Sequence, residues 1–294
     1  MTGSKLFGLV EAGGTKFVLG LARSKDEILA TTRIETSTPD KTLGAMVRWF
    51  EDQAVDFGQI DGIGIASFGP LQLDKSAPDW GCITQTPKPH WSGADLAGPL
   101  AAAFGCNIAI DTDVNGAALA EYHWGAGRGH NTVLYLTIGT GIGGGAVIDG
   151  KILQGVSHPE MGHMRVALHQ NDTGFAGNCP IHGNCLEGLA SGPAIIKRWG
   201  ASLSELPADH PAKVVIAHYL AQTMCTLQSI FEPGRIILGG GVMASEGLID
   251  MVRQEAVKLG GGYFVSDASE IVQMPGLGTD AGLLGALALI DRSA

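Results

Sequence analysis

Apolar and polar positions along this chain follow two rhythms. Short apolar runs at residues 6–10, 17–21 and 28–34 are separated by Gly13-Gly14 and by the polar turn Ser24-Lys25-Asp26, and they predict three strands. Thr38-Pro39 then has the form of an N-cap followed by the first helical residue. Leu43, Met46, Val47, Phe50, Ala54 and Phe57 continue from it at helical spacing. Residues 60–66 return to a strand, closed by Ser67-Phe68-Gly69-Pro70, and residues 71–91 are broken repeatedly by Pro and Gly and predict a long loop. A helix is expected over residues 93–104 and a short strand over 108–110. At Asp111-Thr112-Asp113-Val114-Asn115 a strand hands over to an Ala-rich helix.

The second half repeats the opening. Residues 133–138 predict a strand, 139–145 a glycine turn, 146–148 a returning strand, and Asp149-Gly150 a hairpin before residues 151–153. The two copies, residues 7–29 and 133–153, predict a duplicated α/β fold whose similar halves face each other across a cleft. Further on, Val214, Ala217, Leu220, Met224, Leu227 and Phe231 mark an amphipathic helix stopped by Pro233-Gly234. Residues 235–238 form a strand running into Gly239-Gly240-Gly241, and Gly278-Thr279-Asp280 caps an apolar helix over 281–290.

Composition narrows the function. With 294 residues, 45% hydrophobic, the chain is long enough for two domains. Its net charge of −10 and its lack of any basic run exclude nucleic acid as an expected partner. No signal peptide is visible and no apolar run approaches a membrane span, so no membrane association is expected. Five cysteines, two of them in a cluster of metal-binding spacing, fit a reducing cytoplasm better than a disulfide framework.

That cluster lies within residues 158–187, which hold His163, Cys179, His182 and Cys185. Thiolates and imidazoles so spaced can converge on one tetrahedral Zn²⁺. His158-Pro-Glu160 followed by a Cys pair resembles the zinc deaminase pattern, but Asn178 stands where that pattern has Pro, and His182 adds a fourth ligand that closes the site. A closed structural zinc is the favoured reading, and it would fix Glu160 and Glu187 beside it.

Three glycine clusters each follow an apolar strand: Gly13-Gly14-Thr15-Lys16, Gly139-Thr140-Gly141-Ile142-Gly143-Gly144 and Gly239-Gly240-Gly241. Bare backbone N–H groups in such turns can hold phosphate oxygens. The middle cluster satisfies G-x-G-x-x-G, but a strand rather than a helix follows it, and no P-loop motif exists anywhere, so facing hairpins rather than a dinucleotide fold are expected to bind nucleotide. Asp113, where a strand gives way to a helix, is either an N-cap or the carboxylate base that phosphoryl transfer to a hydroxyl needs. Glu11, beside the first glycine turn, is a candidate to act through Mg²⁺.

Glu11-Ala-Gly-Gly-Thr-Lys16, Leu136-Thr-Ile-Gly-Thr-Gly-Ile-Gly-Gly-Gly145, Glu160-Met-Gly-His163, Cys179-x-x-His-x-x-Cys185-Leu-Glu187 and Ile237-Leu-Gly-Gly-Gly241 together resemble the ROK family of sugar kinases. The Cys/His finger and the Thr84-Gln-Thr-Pro-Lys-Pro-His-Trp91 loop are similar to the bacterial zinc-containing fructokinase branch. The resemblance implies an actin/hexokinase-like (ribonuclease H-like) ATPase fold. It implies one domain over residues 1–112 with the helix of about 280–294 packing back on it, and a second over 113–279. It places the general base on Asp113, sugar contacts on Thr112, Glu160, His163 and Glu187, and zinc on His163, Cys179, His182 and Cys185. It also places ATP on Gly13, Gly14, Thr15, Lys16, Gly139, Thr140, Gly141, Gly239, Gly240 and Gly241, and Mg²⁺ near Glu11. The implied activity is ATP-dependent phosphorylation of a hexose, D-fructose first, by a homodimer. Other ROK hexose kinases and a sugar-sensing regulator are the alternatives. Two departures matter: many relatives carry Asp where Glu11 stands and Asn where Thr112 precedes the base.

Overall fold

The computed structural model describes residues 5–172 and 174–291. In chain order the first half carries β1 (Phe7–Ala12), β2 (Lys16–Ser24), β3 (Glu27–Glu35), α1 (Pro39–Phe57), β4 (Gly62–Ser67), α2 (Gly98–Phe104), β5 (Asn107–Thr112) and α3 (Asp113–Trp124). Then follow β6 (Thr132–Ile138), β7 (Ile142–Ile148), β8 (Lys151–Ile152), α4 (Leu186–Ala190), α5 (Gly192–Trp199) and α6 (Ala212–Phe231). The chain closes with β9 (Arg235–Gly239), α7 (Leu248–Gly260), α8 (Ala268–Ile271), β10 (Val272–Gln273) and α9 (Ala281–Ile290).

These elements make two compact units. The first holds the chain up to His123, residues 153–158 and the chain from Thr279 onward; the second holds Trp124–Ile152 and Pro159–Gly278. Each is built on a five-stranded mixed sheet, with order β3-β2-β1-β4-β5 in the first and β8-β7-β6-β9-β10 in the second. The pairing senses also match. β1 and β6 each run antiparallel to the strand that follows them and parallel to the strand on their other side. The duplication expected from residues 7–29 and 133–153 therefore extends over whole sheets.

In the first unit β4 reads Gly-Ile-Gly-Ile-Ala-Ser and is buried throughout, as a central parallel strand covered on both faces should be. Its glycines admit α9: a side chain at Gly64 would run into the Ala286 carbonyl, and one at Gly62 into Ile290. α9 is apolar all round because it is enclosed: it lies along β1, β2, β4 and β5 of the sheet and meets α3 where Gly285 backs onto Gly116. α3 belongs to the first unit, which runs unbroken to His123.

Some element boundaries differ from those expected. The helix expected from residue 93 begins only at Gly98, because Asp95 Oδ1 accepts from the N–H groups of Ala97 (3.1 Å) and Gly98 (2.7 Å), and Gly93 takes a φ of 79°. The glycine run 139–145 is only partly a turn. Gly143, Gly144 and Gly145 lie within β7, where a side chain at Gly144 would strike Met161 and one at Gly162 would strike the Ile142 carbonyl. These strand glycines let the 3-10 turn Met161–His163 lie flat on the sheet. Asp280, the expected cap of α9, makes no capping hydrogen bond. Among the described residues α6 alone is long and apolar enough to cross a membrane, which the sequence reading did not expect; over half of it is buried, and it packs against α4 and α7.

Candidate active site and metal centre

In the first unit the parallel strands β1, β4 and β5 end level with one another, Ala12 pairing with Ser67 and Ser67 with Thr112. The carboxyl ends of parallel strands are the usual ligand edge of an open α/β sheet. Glu11 and Asp111 lie one residue back from this edge, and Asp113 leads out of β5 into α3. Asp111 is buried, and its Oδ1 accepts from Thr112 N and from Asn115 Nδ2, both at 2.7 Å. Thr112 is buried as well, and its Oγ1 accepts from Asn115 N at 3.2 Å. Thr112 therefore serves as the N-cap of α3, and what it can still offer a ligand is its hydroxyl proton.

With the cap supplied by Thr112, Asp113 is left for other work. Its Oδ1 takes the adjacent Val114 N–H at 2.9 Å, and Oδ2 has no hydrogen bond among the described residues. Some of its surface stays accessible, yet burial of the carboxyl, reinforced by the negative charge of Glu11, pushes its pKa up to about 6. The Glu11 carboxylate lies against Gly282 at the start of α9, where any side chain would displace it. Burial raises the Glu11 pKa too, opposed by the charges of Lys16 and Arg33.

The first glycine turn joins β1 to β2. Gly13 N donates to Lys16 O at 3.0 Å, and Thr36 holds the turn from outside through Gly13 O (2.8 Å) and Thr15 O (3.0 Å). The N–H groups of Gly14 and Thr15 make no hydrogen bond among the described residues. Lys88, for which the sequence reading held no role, donates its ammonium to the Gly14 carbonyl.

In the second unit β6 and β9 are parallel neighbours, with Thr137 opposite Gly239, so the turns Gly139-Thr140-Gly141 and Gly239-Gly240-Gly241 leave the sheet side by side. Gly240 has a φ of 91° and sits so close to the Ile138 backbone that no side chain would fit. Gly139 O is held by Gly192 N at 2.7 Å, at the start of α5.

The Cys/His loop is the most closely organised part of this unit. His163, Cys179, His182 and Cys185 bring one ligand atom each to within 4.8 Å of one another. His163 Nδ1 lies 3.5 Å from Cys185 Sγ and 3.9 Å from Cys179 Sγ, and His182 Nδ1 lies 3.8 Å from Cys179 Sγ. Tetrahedral Zn²⁺ with bonds of about 2.0–2.3 Å requires N···S and S···S edges of roughly 3.6–3.8 Å, so the four residues fit that ion. Burial raises the Cys185 thiol, so paired thiolates here call for a cation beside them. His182 N also points at Cys179 Sγ, at 3.4 Å. The tight fold depends on glycine at 188, where a side chain would fall on the Gly183 carbonyl.

The geometry also bears on the flanking carboxylates. With Nδ1 of His163 turned to the thiols, its Nε2 is on the side of Glu160, 4.0 Å from Oε2 and beyond hydrogen-bond distance. Glu160 is exposed, and Glu187, in the first turn of α4, is partly buried. Glu187 Oε2 accepts from Ile142 N at 3.0 Å, directly over Gly141. The Cys/His loop and the second glycine turn are thus one piece of structure, a link the sequence spacing did not reveal.

Residues 7–293 match the ROK family. The chain belongs to that family. It is 50% identical to a fructokinase of Zymomonas mobilis over 289 residues, covering 97% of this chain and 96% of that one. Three further curated fructokinases stand at 36–39% identity, and curated glucokinases at 28–31%. Among solved structures, the ROK hexokinase of Thermus thermophilus superposes with a TM-score of 0.80 at 28% identity, covering 97% of both chains. A ROK glucokinase of Streptomyces griseus, in complex with glucose and AMPPNP, superposes with a TM-score of 0.77 at 27% identity, covering 98% of this chain and all of that one. The α/β fold is that of the ROK sugar kinases.

Proposed function

We propose that this chain is an ATP-dependent hexose kinase that converts D-fructose to fructose 6-phosphate. The observation that carries the reading is its standing within the ROK family, where fructokinases match it at higher identity than glucokinases do along nearly the whole chain. Asp113 is the general base, taking the proton of the sugar hydroxyl on its unpartnered Oδ2. The free amides of Gly14 and Thr15, with Lys16, take phosphate oxygens in the first unit. Gly139, Thr140, Gly141, Gly239, Gly240 and Gly241 bind nucleotide in the second. Glu11 is the carboxylate that would assist Mg²⁺, a cation that prefers hard oxygen ligands and supplies charge neutralisation to the transferred group. Glu160, His163 through Nε2, and Glu187 through its second oxygen hydrogen-bond sugar hydroxyls, with the Thr112 proton as a further donor. Zn²⁺ on His163, Cys179, His182 and Cys185 supplies rigidity to the loop that carries them. The working form is a homodimer.

Two measurements check this reading. ADP release in a coupled assay should require fructose; sugar binding without ADP release would favour a regulator. The same assay should show kcat/KM falling as pH drops through about 6, because Asp113 must be ionised to accept a proton and burial raises its pKa to about that value. A profile flat from pH 5 to 8 would remove Asp113 from the base role.

A further inference from the structure

The loop running from Thr84 to Trp91 delivers a cation to the first glycine turn. Trp91 is fully buried, its ring packed on Phe17 (centroids 5.5 Å apart) and Phe68 (5.7 Å), and its indole N–H donates to Ser37 O at 2.8 Å. At the other end Thr84 N donates to Pro70 O at 2.8 Å, and between them Thr86 N donates to Ser92 Oγ at 3.1 Å. Lys88 lies inside this pinned segment, and its ammonium donates to Gly14 O. An ammonium has three donors, so two remain for a ligand.

The setting favours an anion. Gly14 and Thr15 present unpartnered amides at the same turn, at the end of the strand that carries Glu11 and on the sheet edge that carries Asp113. Lys16 and Arg33 exert their charge on the Glu11 carboxylate. Lys88 instead rests on a neutral carbonyl. A hexose, being neutral, gains little from a fixed positive charge, whereas a phosphate under transfer gains most as its charge redistributes.

We infer that Lys88 is a further catalytic residue of the reaction proposed above, contacting the terminal phosphate of the nucleotide and stabilising the phosphoryl group in transit. This rests on the reading that the Gly13–Lys16 turn receives ATP phosphates. In the step, the sugar hydroxyl oxygen bonds to the γ-phosphorus while the bond from that phosphorus to the ADP oxygen breaks. The bond's electron pair leaves on ADP, and the hydroxyl proton passes to Asp113. Lys88 neither gains nor loses a proton; it faces the equatorial oxygens.

The test compares Lys88→Met, which keeps the stem and removes the charge, with Lys88→Arg, which keeps the charge. Thermal melts of both should match the parent protein, because the side chain closes no core. Lys88→Met should lower kcat about 10²- to 10³-fold, the usual effect of removing one charge-stabilising donor, with KM for fructose within about twofold. Lys88→Arg should recover most of that loss. Calorimetric binding of AMPPNP should weaken about fivefold or more in Lys88→Met while binding of AMP is unchanged. If the parent protein binds AMPPNP and Lys88→Met matches it in both affinity and kcat, the inference about Lys88 falls alone. Equal weakening of AMPPNP and AMP would also overturn it, as a disturbed loop rather than a lost phosphate contact. If the parent protein does not bind AMPPNP at all, the kinase reading fails and takes the inference with it.

Discussion

Asp113→Asn should cut turnover by a factor of about 10² or more and leave nucleotide affinity nearly unchanged. Asparagine keeps the shape and can still accept the Val114 N–H that Asp113 Oδ1 accepts at 2.9 Å. It cannot take a proton from an attacking hydroxyl. The same change should stabilise the protein. The folded pKa of about 6 lies above the ordinary carboxyl value of 3.8, so holding the charge in the folded state is unfavourable. That penalty is absent below about pH 4, grows as pH rises through 6 and is complete above it. Removing the charge should therefore raise unfolding free energy by at most about 3 kcal/mol at pH 8 and by about half as much at pH 5. Denaturant titration of both proteins at the two pH values checks this. A variant with near-parental kcat would move the base role elsewhere, Glu160 being the next candidate.

Cys185→Ser should have the largest effect on stability. Cys185 is fully buried, and its sulfur faces His163 Nδ1 at 3.5 Å. Serine leaves three ligands and a hydroxyl that does not ionise near neutrality. Structural zinc contributes folding energy outright, so the loss should reach several kcal/mol, with zinc falling from about one per chain to well below that by elemental analysis. The consequence should extend beyond the loop. Glu187 holds Ile142 N, and Met161 and Gly162 lie flat on β7, so a loosened loop frees the second glycine turn. KM for ATP should rise together with KM for fructose. A native, chelator-free protein that contains no zinc, or a Cys185→Ser protein as stable as its parent, would contradict the metal assignment.

The sequence made the duplication legible because apolar runs and glycine turns recur in the same succession in both halves, while the order of strands in each sheet came from the structure. It also made the Cys/His cluster legible, since metal-ligand spacing is a local property. Contacts set by tertiary packing were not legible. Gly143, Gly144 and Gly145 resemble a turn in sequence because glycine usually marks one, but the reason for glycine at 144 is Met161, seventeen residues on. Spacing alone left Asp113 open as a cap or a base, and it could not show that Thr112 takes the cap through Oγ1 on Asn115 N. The short helices α4, α5 and α8 carry too few turns to declare a period. α7 has an amphipathic pattern, and its buried Leu248, Val252 and Ala256 fall four apart, a periodicity present in the sequence itself. Lys88 gave no signal because a single lysine in a Pro-rich loop has no spacing to read; only the pinned backbone around it shows where its charge goes.

Hexose selectivity comes from polar groups that a bound sugar covers, which find partners on one sugar and are left unpaired beneath another. The direct test is competition: fructose, mannose, glucose and N-acetylmannosamine at equal concentration with limiting ATP, the phosphorylated products resolved and quantified, so that their ratios report relative kcat/KM. The account predicts fructose 6-phosphate as the main product, mannose 6-phosphate second, and glucose 6-phosphate lower than fructose 6-phosphate by roughly 10²-fold. A mixture dominated by glucose 6-phosphate or by N-acetylmannosamine 6-phosphate would contradict the fructokinase assignment, and ATP consumed with no sugar phosphate formed would contradict the kinase itself.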